Sequence, residues 1–168
     1  MKPKINYHYR IPFKLVEHFD FVHYGVDEEC YKYRIITHID KAIEELINNN
    51  NSRRSVIVTH TNFQNYACLI SLQFQIHKKK LIVIANFRSQ CRLNGRPSDD
   101  LMLQYISTYV YNKLKNAGIE LKKYNIYVNV ANYHENLDLL KENLSNEEVV
   151  KNLLKIGINL NKYKYKIK

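Results

Sequence analysis

Residues 68–87, CLISLQFQIHKKKLIVIANF, are the stretch that decides the fold. Apolar and polar residues alternate from 68 to 76, which is typical of a strand with one buried face. The apolar side of that strand is formed by Ile70, Leu72, Phe74 and Ile76. A continuous apolar run from 81 to 87 predicts a second, fully buried strand. The lysines at 78–80 lie between the two runs, so the stretch predicts a β-hairpin at the centre of a sheet.

The segment before this hairpin predicts a helix and one more strand. Thr37 to Ile47 has helical periodicity, and Thr37 with Asp40 three residues later suggests an N-terminal cap. Its apolar face is formed by Ile39, Ile43, Leu46 and Ile47. The β-branched residues at 55–60 predict a strand that follows the helix.

The segment after the hairpin predicts a longer helix and another strand. Ser98 is suited to cap a helix that runs to about Asn116, and Gly118 suits its left-handed end. Residues 124–130 predict a further strand, and two short helices close the chain. We therefore predict an α+β fold with a mixed, mostly antiparallel core sheet and helices packed on it.

The amino-acid composition indicates the class of protein and the charge of its partners. The chain of 168 residues, with 45% hydrophobic and 25% charged residues, is expected to form one domain over 1–168 and not a disordered chain. Lys and Arg exceed Asp and Glu by 26 to 16, a formal charge of +10 that favours anionic partners such as nucleotides or nucleic acid. Much of this charge lies in lysine clusters of the kind found in solvated turns and tails.

The cysteines and the absence of long apolar runs bear on the compartment. Cys30, Cys68 and Cys91 are an odd number, without a CxxC pair or zinc-ligand spacing, so we expect free thiols and no metal. No segment has the pattern of a signal peptide or the length of a membrane span. We therefore expect a soluble cytoplasmic protein in a reducing compartment, with no membrane partner.

Several chemistry-bearing residues occur at rigid offsets. Arg88 follows Cys68 by 20 residues, and Asp99 follows Arg88 by 11, with no insertion between them. Gly95 and Pro97 lie seven and nine residues after Arg88. The other segments with matching order are Arg53–Arg54 before a strand, Gln73–Phe74 after Cys68, Ser89 after Arg88, and Asn129 to His134.

These segments resemble the thymidylate synthase and deoxycytidylate hydroxymethylase family over about 37–134. The resemblance implies that Cys68 is the nucleophile, which adds to carbon 6 of a pyrimidine. It also implies a shared homodimer site, in which paired arginines reach the partner's nucleotide. The phosphate would be bound by Arg53, Arg54, Arg88 and Ser89, and Asn129 would contact the ribose.

Asp99 stands where thymidylate synthases have an asparagine that pairs with uracil. Cytosine-specific hydroxymethylases have Asp there, and a carboxylate accepts hydrogen bonds from the exocyclic amine of cytosine. The resemblance therefore implies a pyrimidine nucleoside monophosphate of the cytidine type, either deoxy or ribo. A plainer alternative is that Asp99 and Asp100 only stabilise the start of a helix through its dipole.

Departures from the family pattern concentrate on the folate side. Cys91 replaces a folate-binding Asp, Leu69 replaces a His, and Ala131 replaces a ribose-contacting Tyr. No Glu and Trp segment precedes the helix, and no apolar tail ends the chain. Methylene-tetrahydrofolate, the cofactor that the resemblance implies, would therefore meet an incomplete site.

Three functions remain open from the sequence. The first is a one-carbon transferase, a nucleotide hydroxymethylase-like enzyme that modifies carbon 5 through Cys68. The second is a non-catalytic nucleotide-binding or regulatory paralogue, which can require another chain in a larger complex. The third is a basic nucleic-acid-binding domain. Without the resemblance, Cys68 is a buried strand cysteine and Arg53–Arg54 a solvated entrance to a strand.

Overall fold

The computed structural model describes residues 4–19, 31, 33–59, 68–93 and 95–135, together with Lys151 and Leu154. The predicted closing helices lie outside these residues, apart from Lys151 and Leu154, which are both helical. The elements of the described part are β1 Lys4–Ile11, α1 Arg34–Asn48, β2 Val56–Val58, β3 Leu69–His77, β4 Lys80–Cys91, α2 Gly95–Asn116 and β5 Lys123–His134.

The five strands form one mixed sheet in the order β1-β5-β4-β3-β2. Every neighbouring pair is antiparallel except β4 and β5, which run parallel. The parallel pair requires a crossover, and α2 supplies it, as expected for strands that cannot be joined by a tight turn. The prediction of an α+β fold with a mostly antiparallel core sheet and helices packed on it is confirmed.

The predicted hairpin is present as β3 and β4. Lys78 and Lys79 form its turn with φ of 48° and 58°, the pair of positive angles that a two-residue type I′ turn needs. A register shift between Leu69 and Ser71 interrupts the alternation at the start of β3. The bulge buries Leu69 and leaves Ile70 37% exposed, so the prediction that Ile70 shares the buried side is wrong.

The two helices bury apolar stripes in the core on one face of the sheet. Ile39, Ile43 and Leu46 of α1 are buried as predicted, whereas Ile47 is 42% exposed. The core residues contributed by α2 are Met102, Leu103, Ile106, Val110 and Leu114. On β4 the buried positions alternate with partly exposed ones from Leu81 to Phe87, so the prediction of a strand buried on both faces is wrong. The second face of the sheet lies away from the core.

Both predicted helix starts are wrong by about one turn. α1 begins at Arg34, and the Thr37 hydroxyl donates to the Tyr33 carbonyl oxygen at 2.6 Å instead of capping the helix. α2 begins at Gly95, so Ser98 lies inside its first turn. The end of α2 is as expected, because Gly118 has φ of 86°, the left-handed conformation common after a helix.

Strand β1 has no counterpart in the sequence-based prediction. It pairs along β5, with Ile11 opposite Ile126 and Tyr9 opposite Val128, and its inward side chains extend the core. The strand predicted at 55–60 is shorter, at Val56–Val58, and β4 and β5 extend beyond the predicted runs. None of the helices in the described part of the chain is long and apolar enough to cross a membrane.

The second face of the sheet carries a row of polar side chains flanked by exposed apolar ones. His8, Asn129, Asn86 and Ser71 occupy paired positions on four neighbouring strands and are joined by hydrogen bonds of 2.8, 2.9 and 3.0 Å. The large apolar side chains exposed around this row are Val56, Val58, Ile70 and Tyr127. We call this surface the outer face.

Candidate functional site around Cys68

Cys68 lies directly before β3 and is half-buried. The backbone N–H groups of Cys68 and Leu69 both donate to the hydroxyl oxygen of Tyr31, at 2.9 and 3.1 Å. The Cys68 carbonyl oxygen accepts from the backbone N–H of Arg88 at 2.9 Å. The position of the cysteine is therefore fixed from two sides, by Tyr31 before α1 and by β4 within the sheet.

The thiol of Cys68 is influenced by two of the predicted site residues. Burial raises the pKa of the Cys68 thiol above its ordinary value, the positive charge of Arg88 lowers it, and the carboxylate of Asp99 raises it. Burial therefore outweighs the influence of Arg88 on the thiol pKa. In the free protein the thiol is neutral at physiological pH.

Asp99 lies in the first part of α2 with its side chain directed into the protein, where the residue is 7% exposed. Burial is the main reason that its pKa is raised to about 7; Gln90 lowers the pKa through a hydrogen bond, and Asp100 raises it. The Gln90 Nε2 donates to Asp99 Oδ2 at 2.9 Å. The carboxyl group therefore changes charge near neutral pH, which an exposed aspartate does not do.

Ser89 and Asn129 both have polar neighbours. The Ser89 hydroxyl lies 3.4 Å from Nδ1 of His134 at the end of β5. Asn129 Nδ2 donates to Asn86 Oδ1, and Asn129 Oδ1 lies 2.8 Å from His8 Nδ1. One amide N–H of Asn129 remains after these two contacts, so a ribose hydroxyl would bind there or displace His8.

Arg53 and Arg54 are exposed and lie at the opposite end of β3 from Cys68. The backbone N–H of Phe74 donates to the Ser55 carbonyl oxygen, which places the arginine pair beside the far half of that strand. The six residues from Cys68 to Phe74 span about 20 Å of strand. One phosphate therefore does not bridge this pair and the Cys68 region of the same chain.

A groove of about 390 Å³ lies between α1 and β2 next to the arginine pair. Arg54, Lys41 and His38 line it together with Glu45, and the rest of its wall is apolar. The Glu45 carboxylate accepts from the Ser52 hydroxyl at 2.5 Å. The groove is separate from the Cys68 region.

Two residues of this site were missed by sequence reasoning. Tyr31 contacts the backbone of Cys68 from 37 positions earlier in the chain, and no periodic pattern relates the two. Gln90 follows Arg88 and Ser89 directly, so its nearness to the site could have been noted. Its bond to Asp99 depends on the packing of α2 against β4, which the local sequence does not report.

The described residues offer little to a folate or a metal ion. Cys91, which the resemblance aligns with a folate-binding Asp, is a half-buried thiol at the end of β4, opposite His134. A thiol is a weak hydrogen-bond donor and does not replace a carboxylate as an acceptor. No group of three or more His, Cys, Asp or Glu side chains in the described ranges could hold a metal ion.

The architecture is similar to the crystal structure of thymidylate synthase from phage T4, with a TM-score of 0.52 and 15% sequence identity. The similarity covers 62% of this chain and 37% of that synthase. At this identity the likeness defines the fold, which is thymidylate synthase-like. No protein-family model matches the sequence, and comparison with curated proteins finds no match.

Proposed function

We propose that the chain binds a pyrimidine nucleoside monophosphate, of the cytidine type, and modifies carbon 5 of its base through an adduct between Cys68 and carbon 6. One observation carries this proposal: the charges of Arg88 and Asp99 both act on the Cys68 thiol, and the backbone N–H of Arg88 donates to the Cys68 carbonyl oxygen at 2.9 Å. In this arrangement Arg88 and Ser89 bind the phosphate, and Asp99 accepts a hydrogen bond from the exocyclic amine. The thymidylate synthase-like fold supports this assignment.

The chemistry begins with the loss of the Cys68 thiol proton. The thiolate then adds to carbon 6, and the electron pair of the 5,6 double bond moves to carbon 5, which becomes a nucleophile. After carbon 5 has taken up an electrophilic one-carbon unit, loss of its proton and departure of the thiolate restore the ring. Arg88 lowers the pKa of the thiol and so stabilises the charged form that this sequence requires.

Methylene-tetrahydrofolate is the one-carbon carrier that the resemblance implies. The described residues do not fit it, because the carboxylate expected at the folate side is replaced by the half-buried thiol of Cys91. We therefore derive no step through folate and assign to this chain the nucleotide side of the reaction. The covalent adduct requires only the residues around Cys68.

Release of tritium from the carbon 5 position of labelled cytidine and deoxycytidine monophosphates tests the adduct without any one-carbon donor. Addition of Cys68 makes carbon 5 exchangeable, so the unmodified chain is expected to release tritium and the Cys68→Ala chain to release none. Cys91→Ala is the matched control, since Cys91 is also a half-buried free cysteine. Equal release by the Cys68→Ala and unmodified proteins would contradict the nucleophile assignment.

We also propose a homodimer in which Arg53 and Arg54 complete the phosphate site of the second copy. The separation of about 20 Å along β3 supports this, because the pair is too far to serve the site of its own chain. We assign the contact between the two copies to the outer face, where Val58 and Val56 are 50% and 42% exposed. A second copy packed there would bury these apolar groups.

Subunit mixing tests the shared site. Cys68→Ala and Arg54→Gln chains are each expected to be inactive, and random pairing makes half of the dimers mixed, each with one intact site. Recovery of tritium release after mixing supports the homodimer, and sedimentation velocity gives its mass. Monomeric behaviour with no recovery would contradict it.

The neutral thiol of the free protein favours a second candidate, a non-catalytic nucleotide-binding protein. Burial holds the Cys68 thiol protonated, which suits binding better than nucleophilic addition. Calorimetry with cytidine monophosphate separates the two: binding without tritium release identifies the non-catalytic protein. Binding of an oligonucleotide that mononucleotide does not displace, and that weakens steeply with salt, would favour a nucleic-acid-binding domain instead.

A further inference from the structure

The side-chain amide of Gln90 lies between a donor and an acceptor. Its Oε1 is 3.0 Å from the hydroxyl of Tyr9, and its Nε2 donates to Asp99 Oδ2 at 2.9 Å. Burial and the nearby Asp100 raise the pKa of Tyr9, so its hydroxyl stays protonated, and its single proton is shared between Gln90 Oε1 and Asp100 Oδ1. A reversed amide would place its oxygen against the carboxylate oxygen of Asp99, so the charged form of Asp99 favours the orientation in which Nε2 of Gln90 faces it.

Tyr9 is itself held in place by a network that joins β1, β5 and α2. Its hydroxyl donates to Asp100 Oδ1 at 2.7 Å, and the Arg96 guanidinium lies 4.1 Å above its ring. Arg96 also donates to Asp100 Oδ2 at 3.3 Å and to the Tyr133 hydroxyl at 2.9 Å. Tyr9 is therefore held in place by three elements, and its hydroxyl restricts the position of the Gln90 amide that meets Asp99.

We propose that Gln90 is a positioning residue that acts through Asp99, orienting its carboxylate and favouring its charged form, and so selects a base with an amino group at carbon 4 over one with a carbonyl. The inference rests on the proposed function, in which Asp99 contacts the base. Gln90 engages Oδ2, which leaves Oδ1 to accept from the amine of cytosine. Nothing in the resemblance assigned a role to Gln90, Tyr9 or Asp100.

The hydrogen bond from Gln90 affects the charge of Asp99 at neutral pH, because the pKa of this carboxyl lies close to 7. Burial raises the pKa of Asp99 to about 7, and the bond from Gln90 is the influence that lowers it. A charged Asp99 accepts from the amine of cytosine, whereas a protonated one donates to the carbonyl oxygen of uracil. The titratable groups that interact with Asp99 are Tyr9 on β1, Tyr31 before α1, Cys68 before β3 and Asp100 on α2. Two arginines act on these neighbours, Arg88 on Cys68 and Arg96 on Asp100.

The test replaces Gln90 by methionine, which has similar length and no donor. Carbon-13 NMR of the nucleotide-free full chain is expected to show the pKa of Asp99 rising by about one pH unit, a tenfold change, because a hydrogen bond to a charged group is lost. The ratio of Kd values for cytidine and uridine monophosphates at pH 7 should shift about tenfold towards uridine monophosphate. Tyr9→Phe, which releases the Gln90 amide, should shift both quantities in the same direction by less.

Gln104→Met is the matched control, because Gln104 is also a buried glutamine, 8% exposed, and donates to the Pro12 carbonyl oxygen instead. It should leave the pKa of Asp99 and the nucleotide preference unchanged. If Gln90→Met does not fold, Tyr9→Phe carries the same test. An unchanged pKa of Asp99, or a raised pKa with an unchanged preference between bound nucleotides, overturns the inference. If the unmodified chain binds neither nucleotide, the proposed function fails, while a raised pKa in Gln90→Met still supports control of Asp99 by Gln90.

Discussion

Asp99 should destabilise the free protein at neutral and alkaline pH. Its pKa is about 7 in the folded chain, against an ordinary value of 3.8, because the carboxyl group is buried. The folded state therefore holds the proton more tightly than the unfolded state, and stability falls as pH rises from about 4 through 7. The penalty reaches about 4 kcal/mol above pH 8 and is about 2 kcal/mol at pH 5.

Asp99→Asn removes this charge and keeps the shape of the side chain. Since the amide oxygen can still accept from Gln90, the variant should gain up to about 4 kcal/mol of unfolding free energy at pH 8 and about 2 kcal/mol at pH 5. Urea unfolding of both proteins at a series of pH values gives the difference directly. The melting temperature at pH 8 should rise by roughly 10 °C for a chain of this size.

The control is Asp40→Asn on α1, an exposed carboxylate whose contact with the Tyr109 hydroxyl is 3.4 Å long. It should change the unfolding free energy little, because an exposed carboxylate with one long contact contributes little to stability. A difference between Asp99→Asn and the unmodified chain that stays constant from pH 5 to pH 8 would refute the assignment of Asp99 as a buried, raised-pKa carboxyl. Gain of stability together with loss of cytidylate binding would identify Asp99 as a functional group kept at a cost in stability.

Three further predictions concern the core, the end of α2 and the Cys68 backbone. Leu72→Ala should cost about 3 kcal/mol in urea unfolding, because Leu72 is fully buried, whereas Ile70→Ala, at the bulge and partly exposed, should cost less than about 1.5 kcal/mol. Gly118→Ala should cost about 1 kcal/mol in the same measurement, since φ of 86° disfavours a side chain; an unchanged midpoint would contradict this. Tyr31→Phe removes the acceptor for two amide N–H groups and should cost about 2 kcal/mol and accelerate hydrogen exchange at Cys68, with unaltered exchange counting against it.

Much of the fold could be predicted from the local periodicity of apolar residues. The hairpin of β3 and β4 and the buried faces of both helices follow from side-chain alternation, which depends on residues only a few positions apart. β1 was missed because its charged and aromatic residues lie on an edge strand, where only pairing with β5 supplies the strand conformation. The helix starts at Arg34 and Gly95 were missed because tertiary packing extends each helix beyond its nearest capping residue.

The candidate site could likewise be predicted only in part from the sequence. The sequence offsets singled out Cys68, Arg88 and Asp99, and in the structure the charges of Arg88 and Asp99 act on the Cys68 thiol. The roles of these residues in binding and chemistry remain predictions, as do those of Arg53, Arg54, Ser89 and Asn129. The paired arginines show what the sequence does not predict. Their distance from Cys68 follows from the register of β2 on β3, which no local pattern reports.

The amino-acid sequence by itself determined the central hairpin, the helix that crosses over from β4 to β5, and the order in which the reactive residues occur. Only the tertiary structure decided the protonation of those residues. Burial raises the pKa of the Cys68 thiol, although the charge of Arg88 lowers it. Burial also raises the pKa of Asp99 to about 7, although the hydrogen bond from Gln90 lowers it. The physical reason is that desolvation depends on every segment packed around a group, most of which are distant in sequence.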